Sequence, residues 1–320
     1  MSIIREHADS ITSVIQIKIE PKYWSMLLDD KDVHIDYNNI LGKGSKSIVY
    51  QAIIKKTHLF HVISATKVAA KVSTNVDSND IEEVINELNC LPNFDGHPNI
   101  IKLKGWYLNG DFPVILSEMA ATDLLAFVRS VDFPAEPIKS KTRILWDVTR
   151  ALKYISEKRF IHRDVACRNV LLTKKNVVKL ADFALCCKCD DKSGIYKDSE
   201  HKDCLINSKN KRFPLKWLSI EALTNAEFSE KSDVWAFGVL CYEVFSGGAE
   251  PYHLIPDKEI TKYLQYGKRL EKPIYASNEI YEIMLSCWAN EPQNRLSFNE
   301  IYSKLQHLLE YGYLPLKEEY

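Results

Sequence analysis

The run His162-Arg163-Asp164-Val165-Ala166-Cys167-Arg168-Asn169 puts a carboxylate five positions before an amide, with a guanidinium between them, on one short polar stretch. Phe160-Ile161 before it and Val170-Leu171-Leu172 after it read as short buried strands, so the polar residues sit on a turn held at both ends. Oxygen donors of these types suit proton exchange with a hydroxyl and the binding of a hard divalent cation. A second acid, in Ala181-Asp182-Phe183-Ala184, follows the strand-like run Val177-Val178-Lys179-Leu180. Lys71 ends the run Val68-Ala69-Ala70-Lys71, where a period of two places Ala69 and Lys71 on the same face. Upstream, Leu41-Gly42-Lys43-Gly44-Ser45-Lys46-Ser47-Ile48-Val49 carries two glycines between two strand-like runs, where small residues let backbone N–H groups approach phosphate.

With these motifs in this order over roughly residues 36 to 311, the chain resembles a protein tyrosine kinase catalytic domain of the receptor-like group, without a visible transmembrane segment. The resemblance implies a role for each residue. Asp164 orients the substrate hydroxyl and accepts its proton, with Arg168 and Asn169 completing the catalytic loop, and Asn169 and Asp182 hold Mg2+. Lys71, held by Glu87, binds the α- and β-phosphates of ATP, covered by the loop of Gly42 and Gly44. Leu41, Val49, Ala69, Glu118, Met119 and Leu171 complete the nucleotide site, and Ser117 guards its back. The chain departs from the family pattern at Ser47 in place of the third glycine, at Lys46 in place of the aromatic tip, and at Ala184 in place of glycine after Asp182-Phe183. Lys46 either approaches the phosphates as a point charge or stays solvated. Ala184 restricts how its segment changes between arrangements, at a cost near ~1 kcal/mol, without removing a ligand.

Substrate class is read from two further places. Arg168 four positions after Asp164, with Ala166 where serine/threonine kinases usually carry lysine, resembles the tyrosine kinases. Phe213-Pro214-Leu215-Lys216-Trp217 resembles their platform for a long phenolic side chain. Glu221, in Ser219-Ile220-Glu221, is expected to pair with Arg295, and Asp233, in Ser232-Asp233-Val234-Trp235-Ala236-Phe237-Gly238, to accept N–H bonds from the catalytic loop. Tyr196 is the only tyrosine between Asp182 and Glu221, and its phosphate is expected to pair with Arg163 and order that segment. Tyr311, Tyr313 and Tyr320 are read as solvated tail residues, with docking phosphosites as the alternative. The function expected is transfer of the ATP γ-phosphate to tyrosine hydroxyls of protein substrates, with a transient homodimer for trans-phosphorylation admitted. The competing expectation is a catalytically weak or inactive pseudokinase acting as a scaffold, marked by Ala184, Ser47 and Lys46.

These residues need an α+β scaffold: a two-lobed kinase fold, with a small β-rich N-lobe carrying one regulatory helix and a larger, mainly helical C-lobe. The expected divisions are a lead-in of unknown role over 1–35, a kinase domain over 36–311 with lobes of about 36–119 and 120–311, and a tail over 312–320. In the lead-in, Ile15, Ile17 and Ile19 alternate like an edge strand closed by Pro21. Ile81, Val84, Ile85, Leu88 and Leu91 form a helical stripe over 81–91 with Glu87 at its edge, and Asp80 with Glu83 looks like a cap and its reciprocal partner. Helices are also expected over 141–156 and over 233–245, the latter apolar on every side and therefore buried.

Composition excludes several classes. The 320 residues are 46% apolar and 27% charged, enough for a large core and unlike a disordered chain. A formal net charge of -1 gives neither a nucleic-acid footprint nor a polybasic membrane signal. The longest apolar stretch, 234–245, is too short to span a bilayer, Ser2 stands where myristoylation needs glycine, and the last residue is Tyr320, so a cytoplasmic protein is expected. Eight irregularly spaced cysteines suit reduced thiols. Cys186, Cys187, Cys189, His201 and Cys204 match no standard zinc spacing and read as a thiol-bearing polar loop, oxidation-sensitive if a cation lowers a thiol pKa.

Overall fold

The computed structural model describes residues 18–44, 46–57, 63–74, 78–110, 112–133, 136–199 and 213–312. Two compact units share the chain. One comprises Met1–Thr122 with Asp182–Leu185, and the other Asp123–Ala181 with Cys186–Tyr320. Ile15, Ile17, Ser45, His201, Cys204, Tyr313 and Tyr320 lie outside the described residues.

The first unit is built on a five-stranded antiparallel sheet in the order β1-β2-β3-β5-β4, from β1 (Val33–Lys43), β2 (Ser47–Thr57), β3 (Ile63–Ser73), β4 (Leu103–Asn109) and β5 (Phe112–Ser117). Alternation decides its faces. Val68 and Ala70 join Val33, Ala52, Ile54, Tyr107, Val114 and Leu116 in a closed cluster, which sends Ala69 and Lys71 to the opposite face. Helix α1 (Ser78–Cys90) buries Ile81, Ile85 and Leu88, and the chain then tightens into a short 3-10 turn, so the stripe at Leu91 lies beyond the α-helix. Asp80 and Glu83 lie inside α1, and both carboxylates receive Lys46, at 3.2 and 2.9 Å, so Lys46 is ion-paired to the helix rather than solvated on its own.

The lead-in belongs to this unit. Ile19 is fully buried but not in a strand, and Pro21 opens a 3-10 helix, Pro21–Met26, rather than closing a strand, since its fixed φ suits a first helical position. The segment is tied down at both ends. The Trp106 indole donates to the Tyr23 carbonyl (3.2 Å) and the Leu28 N–H to the Trp106 carbonyl (2.8 Å). Asn89 of α1 donates to the Lys18 carbonyl (2.9 Å) and accepts the Glu20 N–H (3.1 Å).

The second unit is mainly helical: α2 (Leu124–Val128), α3 (Ile138–Glu157), α4 (Ile220–Asn225), α5 (Glu230–Phe245), α6 (Asp257–Gln265), α7 (Asn278–Cys287) and α8 (Phe298–Tyr311). Helix α5 starts at a reciprocal cap between Ser229 and Ser232 and is buried along nearly its whole length, as its apolar circumference requires. The strands Phe160–Ile161 and Val170–Leu172 flank the catalytic-loop motif as expected, the latter paired with Val178–Leu180. Among the described residues, no helix is long and apolar enough to cross a membrane.

Candidate active site

In the first unit, β3 and α1 bring Lys71 and Glu87 together with Asp182. Lys71 Nζ lies 2.8 Å from Glu87 Oε2 and 2.9 Å from Asp182 Oδ1. Burial alone would lower the Lys71 ammonium, but the carboxylates of Asp182 and Glu87 overcome it and hold the pKa well above the ordinary lysine value. Burial pushes the Glu87 carboxyl above the usual carboxylate range, with Lys71 as the opposing influence. Glu87 is buried, so its charge would be stranded without Lys71. Asp182 keeps 38% of its side chain exposed.

The strand pairing of β1, β2, β3 and β5 arranges the other predicted nucleotide residues. Val49 faces Lys71 across β2 and β3, Gly42 faces Val49, and Ala69 faces Ser117. Leu41 is exposed. The Gly44 N–H donates to the Ser47 carbonyl at 2.8 Å, closing the tip that carries Lys46. Neither Gly42 nor Gly44 takes a left-handed backbone; a Cβ on Gly42 would meet open space, and one on Gly44 would stand 3.4 Å from the Ser47 carbonyl oxygen. Glu118 uses its side chain structurally, accepting the Lys102 N–H at 2.9 Å while its own N–H donates to the Lys102 carbonyl at 3.0 Å. Met119 follows it on the same extended stretch, half-buried.

In the second unit the catalytic-loop motif folds around Asp164. One carboxylate oxygen pairs with Arg168 Nη2, and the other accepts the Asn169 amide at 2.7 Å. That amide also donates to the Asp164 carbonyl at 2.8 Å, so Asn169 has its nitrogen committed to Asp164 and its oxygen at the opposite end. Leu171 follows two positions on, in the strand Val170–Leu172. Asp233 accepts the His162 N–H at 2.7 Å and the Arg163 N–H at 2.9 Å, which fixes the loop with Arg163 at a φ of +69°. Glu221 binds Arg295 through both oxygens, at 2.7 and 2.8 Å, with the guanidinium fully buried.

In the unphosphorylated chain Arg163 Nη2 pairs with Asp198, both side chains are buried, and the guanidinium lies over the rings of Tyr196 (5.0 Å), Phe213 (5.0 Å) and Phe228 (4.2 Å). Asp198 is thus the counter-charge here and Tyr196 offers its ring face, a contact distinct from the phosphate pairing expected of Tyr196.

Two residues that pair with the candidate site escaped the sequence reading. Glu243, buried in α5, accepts the Cys167 N–H (3.0 Å) and the Trp217 indole N–H (3.1 Å), and Arg168 lies over the Trp217 ring at 4.8 Å. Its signal was the lone acid in the otherwise apolar stretch 234–245. Asp198, two residues after Tyr196, left no signal beyond its charge. Among the described residues, no three His, Cys, Asp or Glu side chains cluster as metal ligands; His201 and Cys204 lie outside them. Burial pushes the Cys189 thiol up, outweighing Arg159, which is the reverse of an activated thiol.

A model of the protein tyrosine and serine/threonine kinase family matches residues 35–305. The chain is 34% identical over 327 aligned residues to a Caenorhabditis elegans protein provisionally named a tyrosine-protein kinase, covering 91% of this chain and 36% of that protein. It is 33% identical over 260 residues to fibroblast growth factor receptor 1 of Xenopus laevis, covering 76% of this chain and 31% of the receptor. It thus spans about a third of the length of these relatives. Together with a small β-sheet unit and a larger helical unit, these matches show that the chain belongs to the protein tyrosine and serine/threonine kinase family.

Proposed function

We propose that the chain is a protein tyrosine kinase that transfers the γ-phosphate of ATP to tyrosine hydroxyls of protein substrates. The observation that carries this reading is the arrangement about Asp164: one oxygen engaged by Arg168 and the other by Asn169, with Arg168 lying on the Trp217 ring. Asp164 accepts the phenol proton. Arg168 and Asn169 orient its carboxylate, and the Pro214–Trp217 wall sets how far the phenol must reach. Lys71, fixed by Glu87, holds the non-transferred phosphates.

The residues suit magnesium: the partly exposed carboxylate of Asp182 and the amide oxygen of Asn169 are the hard, neutral-to-anionic donors that this ion prefers. When bound, the ion neutralises phosphate charge. The departures at Ser47 and Ala184 remove no donor that this reading uses. The reading places this catalytic unit in the cytoplasm, where ATP is supplied. The seven described cysteines, all free, suit such a reducing compartment.

The test is incubation with Mg2+, labelled ATP and a Glu/Tyr copolymer, with a serine/threonine substrate and an Asp164→Asn chain alongside. Label on tyrosine that is lost in Asp164→Asn is the expected result. Label on serine or threonine overturns the specificity, and no label at all overturns the enzyme.

A further inference from the structure

Phe183 and Ala184, the two residues after Asp182, are gripped by two consecutive residues of α1. Glu87 takes Lys71 with one oxygen at 2.8 Å and faces the Phe183 N–H with the other at 3.4 Å, while Asn86 donates its amide to the Ala184 carbonyl at 2.8 Å. A carbonyl can only accept, so the acceptor itself determines which end of the Asn86 amide faces the segment. The Phe183 ring is fully buried, 5.3 Å from that of Phe94.

The backbone makes this grip necessary. Asp182 takes a φ of +62°, an angle that a non-glycine residue keeps only when its surroundings impose it. The Lys71 contact fixes the Asp182 side chain and not the peptide planes beyond it. The Phe183 N–H contact is long for a hydrogen bond, whereas the Asn86 bond beyond it is short and firm. Ala184 takes no positive φ, so its Cβ is accommodated in this arrangement while closing off conformations that glycine would allow.

We propose that Asn86 is a positioning residue whose bond to the Ala184 carbonyl holds Asp182 in place as a metal ligand, and that Ala184 reinforces it by narrowing the alternatives. Asn86 touches neither substrate nor the reacting atoms. It acts through the backbone of the segment it latches. The metal-ligand half of this proposal rests on the kinase reading above, whereas the latch itself does not.

The experiment compares the whole chain with Asn86→Asp, Asn86→Leu, Ala184→Gly and the double variant Asn86→Leu/Ala184→Gly. Hydrogen exchange of peptides covering 182–186 reads the latch without reference to activity. Titration of phosphotransfer with Mg2+ at fixed ATP reads the presentation of Asp182. In both Asn86 variants, exchange in 182–186 should rise and half-saturating Mg2+ should increase by roughly fivefold, the worth of one neutral hydrogen bond, with KM for the peptide substrate unchanged. The double variant should lose more than the product of the single losses, because glycine opens conformations that only the latch then opposes. Protection and Mg2+ dependence unchanged in both Asn86 variants overturns the proposal, as does faster exchange with unchanged Mg2+ dependence. Multiplicative losses overturn the part given to Ala184. If the wild-type chain transfers no phosphate while exchange still rises in both Asn86 variants, the latch stands and the kinase reading falls.

Discussion

Glu243 Oε2 accepts two hydrogen bonds, one from the Cys167 backbone N–H and one from the Trp217 indole, and so ties the catalytic loop to the aromatic wall with a single buried carboxylate. Burial raises its pKa, and the two donors and Arg168 pull it back. Because Arg168 lies on that indole and pairs with Asp164, the position of Trp217 reaches the Asp164 carboxylate through one guanidinium. Glu243→Leu strands both donors. We expect a loss of about 2–4 kcal/mol in stability from urea unfolding, and a lower kcat on tyrosine peptide. Glu243→Gln keeps an acceptor and should lose less than half as much. Equal losses in the two variants would show that shape, not hydrogen bonding, is what the position supplies.

Asp198 is the built-in counter-ion of Arg163. The pair is almost wholly buried, so Asp198→Asn leaves a buried guanidinium facing three aromatic rings without a carboxylate. The expected cost is about 3–5 kcal/mol, measured as a shift in the urea midpoint. Tyr196→Phe keeps the ring on the guanidinium and should leave stability within about 0.5 kcal/mol. A phosphate on Tyr196 would compete with Asp198 for Arg163, so phosphorylation should change activity less in the wild-type chain than in Asp198→Asn. A greater change in the wild type would return Tyr196 to the role first expected of it.

How much of this could be read from the sequence depended on the range of the interaction. The stripe Ile81, Ile85, Leu88 predicted α1, and the apolar circumference of Val234 to Phe245 predicted burial of α5, because both follow from local periodicity. The pairs Lys71–Glu87 and Glu221–Arg295 were legible only through resemblance, since nothing local joins residues so far apart. Asp80 and Glu83 had the spacing of a cap, but the lysine that claims them comes from the glycine-rich tip, and spacing carries no record of it. Ile19 shows the same limit. Its burial comes from the segment that Trp106 and Asn89 anchor, not from strand pairing.

Gly238 is required by space rather than by conformation. A Cβ there would stand 2.6 Å from Trp288 Nε1 and 2.8 Å from Cys287 Cβ, in the fully buried contact between α5 and the end of α7. The indole cannot yield, because its N–H donates to the Trp235 carbonyl at 3.2 Å. Gly238→Ala should therefore destabilise by about 1–3 kcal/mol, despite the better helix propensity of alanine. Thermal unfolding checks it. An unchanged or higher Tm would mean that the two helices separate without cost.

Asp233 gives the fold a pH dependence with a definite sign. Burial pushes its carboxyl up to about 7, against the His162 and Arg163 N–H groups and the Arg163 charge, which pull it down. In the unfolded chain an aspartate titrates near ~4, so between these values the folded chain holds a proton that the unfolded chain has released. This group's contribution is present in full below about 4 and is lost as pH rises through about 7. Stability should therefore fall by an additional increment between about pH 5 and pH 8 in the wild type, an increment absent from Asp233→Asn, which has no carboxyl to titrate. The variant should be less stable at both pH values by about 1–3 kcal/mol, because its amide replaces one acceptor with a donor facing a backbone N–H. Urea midpoints of the two chains at the two pH values measure both effects. Parallel pH profiles would mean that Asp233 remains ionised throughout, fixed in that state by its two backbone donors.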